Sequence, residues 1–150
     1  MMSEWLNTWH GGCHCGNLKT RFVTNETVDA LPVRECQCGF CRRHGVRTAT
    51  DPNGHVSLTI QSSVLLSRYS HGLGIADFFV CSQCGTYVAA VMQTEDASYA
   101  TLNINTLTEN PFGERRGTAA NDAAEDAAGR AAQRARMWTP ISISFADEET

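Results

Sequence analysis

The sequence lacks both a long apolar run and a large excess of charge of either sign. No stretch approaches the roughly 20 apolar residues that a membrane-spanning helix needs, and the N-terminal segment has no apolar run flanked by positive charge. The formal net charge of -4 over 150 residues is small and mildly acidic, which does not favour a nucleic-acid-binding or membrane-binding surface. We therefore expect one soluble domain over residues 1–150, located in the cytoplasm.

Alternating apolar and polar residues predict a mainly β fold. Such segments lie at 17–23, 56–60, 64–69, 77–80, 86–92, 99–104 and 141–145, with turn signals between them, so we expect an antiparallel β core. The alanine-rich segment 119–137 is the exception, because alanine is the best helix former and its acids precede its arginines as the helix dipole favours. We predict a helix there and favour a solvated connector over a lid or docking element.

Seven cysteines carry the chemistry of the sequence, and all of them lie in three short clusters. These are Cys13 and Cys15; Cys36, Cys38 and Cys41; and Cys81 and Cys84. In a reducing compartment, closely spaced thiols are more often metal ligands or catalytic groups than disulfides, and the odd count also argues against a disulfide framework. Gly16 and Gly85 directly follow the first and last pairs and permit the tight turns on which two thiolates can share a zinc ion.

The spacing permits two ways of dividing these cysteines between metal sites. In the first, the first and last pairs form a four-ligand structural site, and the middle triplet forms a local three-ligand site. In the second, the last two cysteines of the triplet join the last pair as zinc-ribbon knuckles, which leaves Cys13, Cys15 and Cys36. Spacing alone does not choose, but we favour the first because three ligands on one six-residue segment can hold a metal unaided. The four-plus-three count predicts two zinc ions per chain.

The three motifs together resemble a known protein family. The sequences GGCHCG at 11–16, CQCGFCRRHG at 36–45 and FVCSQCGT at 79–86 are similar in order and spacing to those of the glutathione-dependent formaldehyde-activating family, which includes centromere protein V. The resemblance implies a compact stack of small antiparallel sheets with zinc-binding turns. It also implies a structural zinc on Cys13, Cys15, Cys81 and Cys84, and a catalytic zinc on Cys36, Cys38 and Cys41.

An open three-thiolate zinc favours thiol chemistry over hydrolysis. Three thiolates leave a complex with a charge of about -1, which weakens its Lewis acidity relative to the histidine sites that ionise water near pH 7. Such a zinc can still bind an incoming thiol, lower the pKa of that thiol and hold it beside a carbonyl group. The resemblance implies the same class of reaction, the reversible addition of glutathione to formaldehyde by a carbon-sulfur lyase of the S-(hydroxymethyl)glutathione synthase type.

Weaker candidates lie beside the cysteines. Arg42 and Arg43 are candidate contacts for the carboxylates of a glutathione-like substrate, or else a solvated pair that offsets the thiolate charge. His44 is a candidate substrate contact, proton shuttle or fourth zinc ligand, and His14 a candidate outer donor, or both are ordinary exposed loop residues. A His44 ligand would close the site and favour the alternative function, a non-catalytic zinc-binding scaffold module. The changed segment after Cys41 leaves open a lyase that acts on a different thiol adduct.

Overall fold

The computed structural model describes residues 4–70, 74–120 and 127–148, which form eleven strands and two α-helices. The strands are Asn7–Gly12 (β1), Leu18–Thr24 (β2), Val33–Cys36 (β3), Thr48–Ala49 (β4), His55–Ile60 (β5), Leu66–Tyr69 (β6), Asp77–Cys81 (β7), Tyr87–Gln93 (β8), Ser98–Asn103 (β9), Thr118–Ala120 (β10) and Thr139–Phe145 (β11). The helices are Gly39–His44 (α1) and Ala127–Met137 (α2). Neither helix is long and apolar enough to cross a membrane. The prediction of a mainly β fold with a helix near the C-terminus is confirmed.

The strands form a branched, mainly antiparallel sheet. The main path runs β1-β2-β5-β11-β9-β4-β3-β10, and β8, β7 and β6 continue from β9 as a branch. Two pairs are parallel, β11 with β5 and β10 with β3. Strand β11 connects the two halves, because Thr139 and Pro140 pair with β9 whereas residues 141–145 pair with β5. At β9 the branch strand β8 pairs on one side, and β4, which pairs with the Cys36-bearing strand β3, pairs on the other.

All seven segments with strand-like alternation contain a strand, although one begins late. In segment 64–69 the strand begins only at Leu66, because Ser63–Leu65 forms a 3₁₀ turn. The sequence analysis did not identify β1, β3, β4, β10 or helix α1. Strands β4 and β10 have only two and three residues, which is too short for an alternating pattern to be recognised. Pairing with longer neighbours stabilises them instead.

The predicted start of the C-terminal helix is wrong. Ala119 and Ala120 belong to β10 and pair in parallel with Glu35 and Cys36 of β3. Backbone pairing with an existing strand outweighs the modest helix preference of two alanines. Residues 121–126 of the predicted helix lie outside the described residues, and α2 extends from Ala127 to Met137, where the prediction placed its end.

Helix α2 packs on the protein rather than serving as a solvated connector, so that interpretation is also wrong. Ala131 and Ala135, one turn apart, pack against a cluster of buried residues that includes Cys41, Tyr87 and Trp138. Their short side chains let the helix approach this cluster closely. We call it the second core, because a larger cluster on the other face of β8 contains most of the largest fully buried side chains, such as Phe22 and Phe79.

A β-bulge in β8 decides which residues reach the second core. The pairing of β8 with β7 shifts between Phe79 and Val80, so that Val88 is an extra residue in β8. Tyr87 therefore lies on the same side as Ala90, in the second core, whereas Val88 packs into the larger cluster. Both faces of the strand are buried, which explains its continuous apolar sequence.

Candidate metal and substrate site

Four cysteines converge where two turns meet. Cys13 and Cys15 lie on the turn between β1 and β2, whereas Cys81 is the last residue of β7 and Cys84 lies on the turn from β7 to β8. Their Sγ atoms all lie within 4.8 Å of one another, with 3.7 Å between Cys13 and Cys15 and 3.5 Å between Cys15 and Cys81. A tetrahedral zinc with Zn–S bonds of about 2.3 Å places its sulfurs about 3.8 Å apart. The cluster therefore has a geometry that could hold one metal ion.

Glycines shape both turns as the sequence analysis expected. Gly16 has φ +90° and Gly85 has φ +79°, a backbone region that side chains with a Cβ disfavour. The N–H of Gly16 donates to the carbonyl of Cys13 at 3.2 Å, and the N–H of Gly85 donates to the carbonyl of Cys81 at 2.7 Å. Each hydrogen bond closes a tight turn that brings its two thiols together.

Cys81 and Cys84 differ in how readily their thiols ionise. Burial, together with hydrogen bonding to neighbouring thiols, raises the pKa of Cys81 to about 12. Burial also acts to raise the pKa of Cys84, but the Thr86 hydroxyl and the backbone N–H groups of Cys15 and Thr86 outweigh it and lower this pKa to about 5. One thiolate therefore forms readily, and a bound cation is the natural compensation for ionising the buried one.

The middle triplet is built by the end of β3 and the first turn of α1. Cys36 is the last residue of β3, Cys38 caps the N-terminus of α1, and Cys41 lies in its first turn. Cys38 Sγ accepts a hydrogen bond from the Cys41 N–H at 3.3 Å, and the three Sγ atoms lie within 4.8 Å of one another. Hydrogen bonding to Cys36, then burial and the neighbouring thiolate charges, raise the pKa of Cys41 far above its usual value. A metal ion would relieve this repulsion.

His44 does not join Cys36, Cys38 and Cys41 as a candidate metal ligand. Among the described residues, no histidine or carboxylate places a ligand atom within 4.8 Å of all three Sγ atoms. The His44 ring instead packs against Phe40, with 4.4 Å between ring centroids, and stands 6.0 Å from the Tyr87 ring. Together with His14 it lines an open cleft of about 390 Å³. Among the described residues, a metal ion at this site would therefore have three candidate ligands, the thiols of the triplet.

Arg42 and Arg43 lie on the exposed side of α1. Arg43 donates from its guanidinium to the carbonyl of Gly39 at 2.9 Å and lines a shallow cleft with Phe40 and Tyr69. Neither arginine is among the described residues that line the cavity beside the triplet. The structure therefore does not place these two predicted substrate contacts at the cavity that Cys36 and Cys41 line.

A small cavity of about 60 Å³ adjoins the triplet on the inner side of α1. Cys36 and Cys41 form one wall, and Tyr87 and Trp138 of the second core form part of another. The remaining described lining residues are Arg34, Thr48, Phe78, Ala90, Thr101 and Arg134. A reactant bound to a metal on the triplet could therefore extend into a partly apolar, partly cationic space.

Comparison with known proteins identifies the family. The sequence profile described as glutathione-dependent formaldehyde-activating enzyme matches residues 8–123, which include all seven cysteines. The chain belongs to this family. It is also similar to a structural genomics target from Rhodobacter sphaeroides, whose crystal structure has 26% sequence identity and a TM-score of 0.56 over 74% of this chain and 99% of that one. No curated protein matches the chain significantly.

The sequence analysis did not identify three of the residues that line the cavity beside the triplet, namely Arg34, Tyr87 and Arg134. Arg34 lies two residues before Cys36 on a strand, where alternate residues share a face, so its position was a usable signal. Arg134 lies one helical turn before Trp138, with its guanidinium 4.6 Å above the indole ring. Tyr87 gave no signal, because only the bulge in β8 turns it towards the cysteines.

Tyr87 is held as a neutral phenol. Complete burial, followed by the charges of Cys41, Cys36 and Cys38, raises its pKa well above 10. Its hydroxyl therefore keeps its proton at neutral pH and can donate a hydrogen bond. A fixed donor beside three thiols is suited to stabilising an oxygen atom that gains negative charge.

Proposed function

We propose that this chain is a zinc-dependent carbon-sulfur lyase, or thiol-adduct synthase, that reversibly joins a glutathione-like thiol to formaldehyde or a related aldehyde. The observation that carries this proposal is the convergence of Cys36, Cys38 and Cys41 beside a cavity, with no fourth ligand among the described residues. The family description, which names glutathione and formaldehyde, supports the choice of reactants. The four-cysteine cluster would hold a second, structural zinc.

The residues present fit zinc. Thiolates are ligands that zinc accepts in tetrahedral sets, and the raised pKa of Cys41 shows a site in which cation binding would relieve electrostatic repulsion. Zinc on the triplet would supply a position at which an incoming thiol loses its proton and is held as a thiolate. Cys36 and Cys41 also line the cavity, so the aldehyde could be held on the same side.

The reaction joins two reactants without any external oxidant or reductant. The substrate sulfur forms a bond to the carbonyl carbon, the π electron pair moves to oxygen, and oxygen gains the proton that the thiol lost. Tyr87 would donate a hydrogen bond to that oxygen as its charge develops. Phe78 and Trp138 would limit access of water to the reacting groups. The reverse reaction uses the same groups in the opposite order.

Exchange spectroscopy tests the proposal. Formaldehyde labelled with ¹³C, glutathione and their adduct should interconvert faster with the zinc-loaded chain than without it, and Cys38→Ser should abolish the acceleration. Zinc content should fall from two ions to one per chain in that variant, while the fold persists. If wild-type protein binds two zinc ions but accelerates nothing, the lyase proposal fails.

His44→Ala separates the proposed lyase from a non-catalytic scaffold module. Because His44 packs on Phe40 and not among the thiols, this variant should retain two zinc ions. In the cobalt-substituted chain, added glutathione should change the absorption of the triplet metal in both wild-type and variant protein. A response that appears only after removal of His44 would show that His44 closes the site, and would favour the module.

A further inference from the structure

We propose that Asn103 is a positioning residue that holds Tyr87 beside the cysteine triplet, and that Asn105 ties the same segment to helix α1. This inference rests on the proposed function, because it concerns the phenol that would meet the developing negative charge. Neither asparagine is among the described residues that line the cavity beside the triplet. They would therefore act through Tyr87 and α1 rather than contact a reactant in that cavity.

Asn103 is a buried polar residue in an otherwise apolar stretch. It is the last residue of β9, and its neighbours Leu102 and Ile104 are buried hydrophobic residues. Burying an amide is costly unless its polar groups are hydrogen-bonded. Asn103 Nδ2 donates to the Tyr87 carbonyl at 2.8 Å, and Asn103 Oδ1 accepts from the Asn105 N–H at 3.1 Å. Because an N–H can only donate and a carbonyl oxygen only accept, these two partners fix the orientation of the amide.

The bond from Asn103 reaches Tyr87 where the backbone pairing of β8 is irregular. On one side the register with β7 shifts at the bulge of Val88, and on the other side the pairing with β9 begins at Ala89 and Leu102. A bulge disrupts the ladder locally and bends the strand. The side-chain amide of Asn103 therefore takes the place of a ladder hydrogen bond. It fixes the peptide plane that follows Tyr87 and so constrains the direction in which the ring leaves the strand.

Asn105 connects the same segment to α1, the helix that begins at the triplet. Its Nδ2 donates to the carbonyl of Gly45 at 3.0 Å, and Gly45, with φ +60°, is the residue that caps the C-terminus of α1. Its Oδ1 accepts from Arg47 Nε at 2.7 Å, which restrains the side chain further. Residues 103–105 thus join the strand that carries the phenol to the end of the helix that carries two of the thiols.

This bridge should affect turnover more than metal binding. A hydrogen-bond donor stabilises a developing charge most when its position is fixed before the reaction begins. Without the bridge, the hydroxyl of Tyr87 would no longer be held at one distance from the cysteines. A misplacement of about 1 Å can lower a rate about 100-fold. The three thiols do not depend on the ring of Tyr87, so their zinc should remain bound.

A double-mutant cycle tests whether Asn103 acts through Tyr87. Asn103→Ser keeps an acceptor that can cap Asn105, but its side chain is one atom shorter and loses the bond to the Tyr87 carbonyl. In the zinc-loaded chain, this variant should lower kcat for the exchange of formaldehyde with its glutathione adduct about 10- to 100-fold, with the KM for glutathione and the zinc content unchanged. In a Tyr87→Phe background, the same change should lower kcat less than about twofold, because no hydroxyl remains to be positioned.

Asn110→Ser is the matched control. The Asn110 amide makes the same two kinds of hydrogen bond, donating to the Ile104 carbonyl at 2.7 Å and accepting from the Phe112 N–H at 3.0 Å. Neither partner is among the described residues that line the cavity, so this variant should lose stability without losing kcat. Circular dichroism would identify any variant that fails to fold. Asn105→Asp, an exposed change that keeps the acceptor for Arg47, then carries the test and should lower kcat about threefold or more.

A spectroscopic measurement tests the positioning without turnover. The chain has three tyrosines, so labelling with 3-fluorotyrosine gives three ¹⁹F resonances, and Tyr87→Phe assigns one of them. Cobalt bound by the triplet should broaden the Tyr87 resonance, because paramagnetic relaxation falls steeply with distance. Asn103→Ser should change this broadening, whereas Asn110→Ser should leave it as in wild type.

Three results decide between the two inferences. If Asn103→Ser lowers kcat equally in the wild-type and Tyr87→Phe backgrounds, or if Asn110→Ser lowers kcat as much, Asn103 has only a structural role and the positioning inference is wrong. If the Tyr87 resonance keeps its broadening in Asn103→Ser, the positioning inference is also wrong. If the wild-type chain accelerates no exchange but Asn103→Ser changes the broadening, the positioning stands and the proposed lyase fails.

Discussion

With zinc on both cysteine clusters, as proposed, loss of the four-cysteine site should destabilise the fold about twice as much as loss of the triplet site. The double variant Cys15→Ser with Cys84→Ser takes one ligand from each turn of the four-cysteine cluster. The double variant Cys36→Ser with Cys38→Ser takes two ligands from the triplet. Each variant removes two thiols that are not fully buried, so loss of core packing is small and similar in both. The difference between them then reflects how each metal constrains the chain.

The magnitude follows from the length of chain that each site closes. Cys15 and Cys81 are 66 positions apart, so a metal between their turns closes a long loop. The chain-entropy expression used for disulfides gives about 4 kcal/mol for a loop of this length, and about 2 kcal/mol for Cys36 and Cys41, which are five positions apart. Because native domains are stable by only about 5–15 kcal/mol, the first variant should lose a large part of its stability.

Urea unfolding at a fixed free zinc concentration measures the effect. With a slope of about 2 kcal/mol/M, the midpoint should fall by about 2 M for the first double variant and about 1 M for the second. Gln83→Ala, an exposed change on the same turn as Cys84, is the control and should leave the midpoint unchanged. Equal shifts in the two double variants, or a larger shift for the triplet, would refute the assignment of the long-range cross-link to the four-cysteine cluster.

Three further predictions concern single residues away from the triplet. Thr86→Val removes the hydroxyl 3.3 Å from Cys84 Sγ, so the pKa of Cys84 should rise, and acid titration should release zinc at a higher pH than in wild type. Gly85→Ala should cost about 1 kcal/mol in thermal unfolding, because φ is +79° and an added Cβ meets no atom within 4 Å; an undiminished melting temperature would contradict this. Burial and the charge of Arg21 lower the pKa of His55 below 6.5, so the unfolded chain binds the proton more tightly. The free energy of unfolding should therefore fall as pH drops below about 6.5, and less steeply in His55→Gln.

Local sequence was sufficient for the longer strands and for the turns that carry the thiols. Strand β5 alternates apolar and polar residues because one face is buried, and it was recognisable for that reason. Gly16 and Gly85 follow their cysteine pairs because each turn needs a positive φ. Such signals persist in a single sequence because the interacting residues are only a few positions apart.

Contacts between distant segments could not be predicted from local sequence. Ala119 and Ala120 have a helical preference, yet β3 recruits them as a strand edge. Arg42 and Arg43 are adjacent to Cys41 in sequence but lie on the other side of α1 from the cavity. Adjacency on a helix does not place consecutive residues on one face, because each residue turns the direction by about 100°.

The sequence alone predicted that seven thiols lie in short turns that could bind metal, but it left two divisions of those thiols open. Only the tertiary structure brings the β1–β2 turn against the β7–β8 turn, with the N–H of His14 3.4 Å from Thr86 Oγ1, and so groups Cys13 and Cys15 with Cys81 and Cys84. Only the bulge at Val88 turns Tyr87 towards the triplet, and only the packing of α2 brings Arg134 to the cavity. The reason is physical: turn geometry depends on neighbouring residues, whereas register, bulges and helix packing depend on burying apolar side chains from the whole chain together.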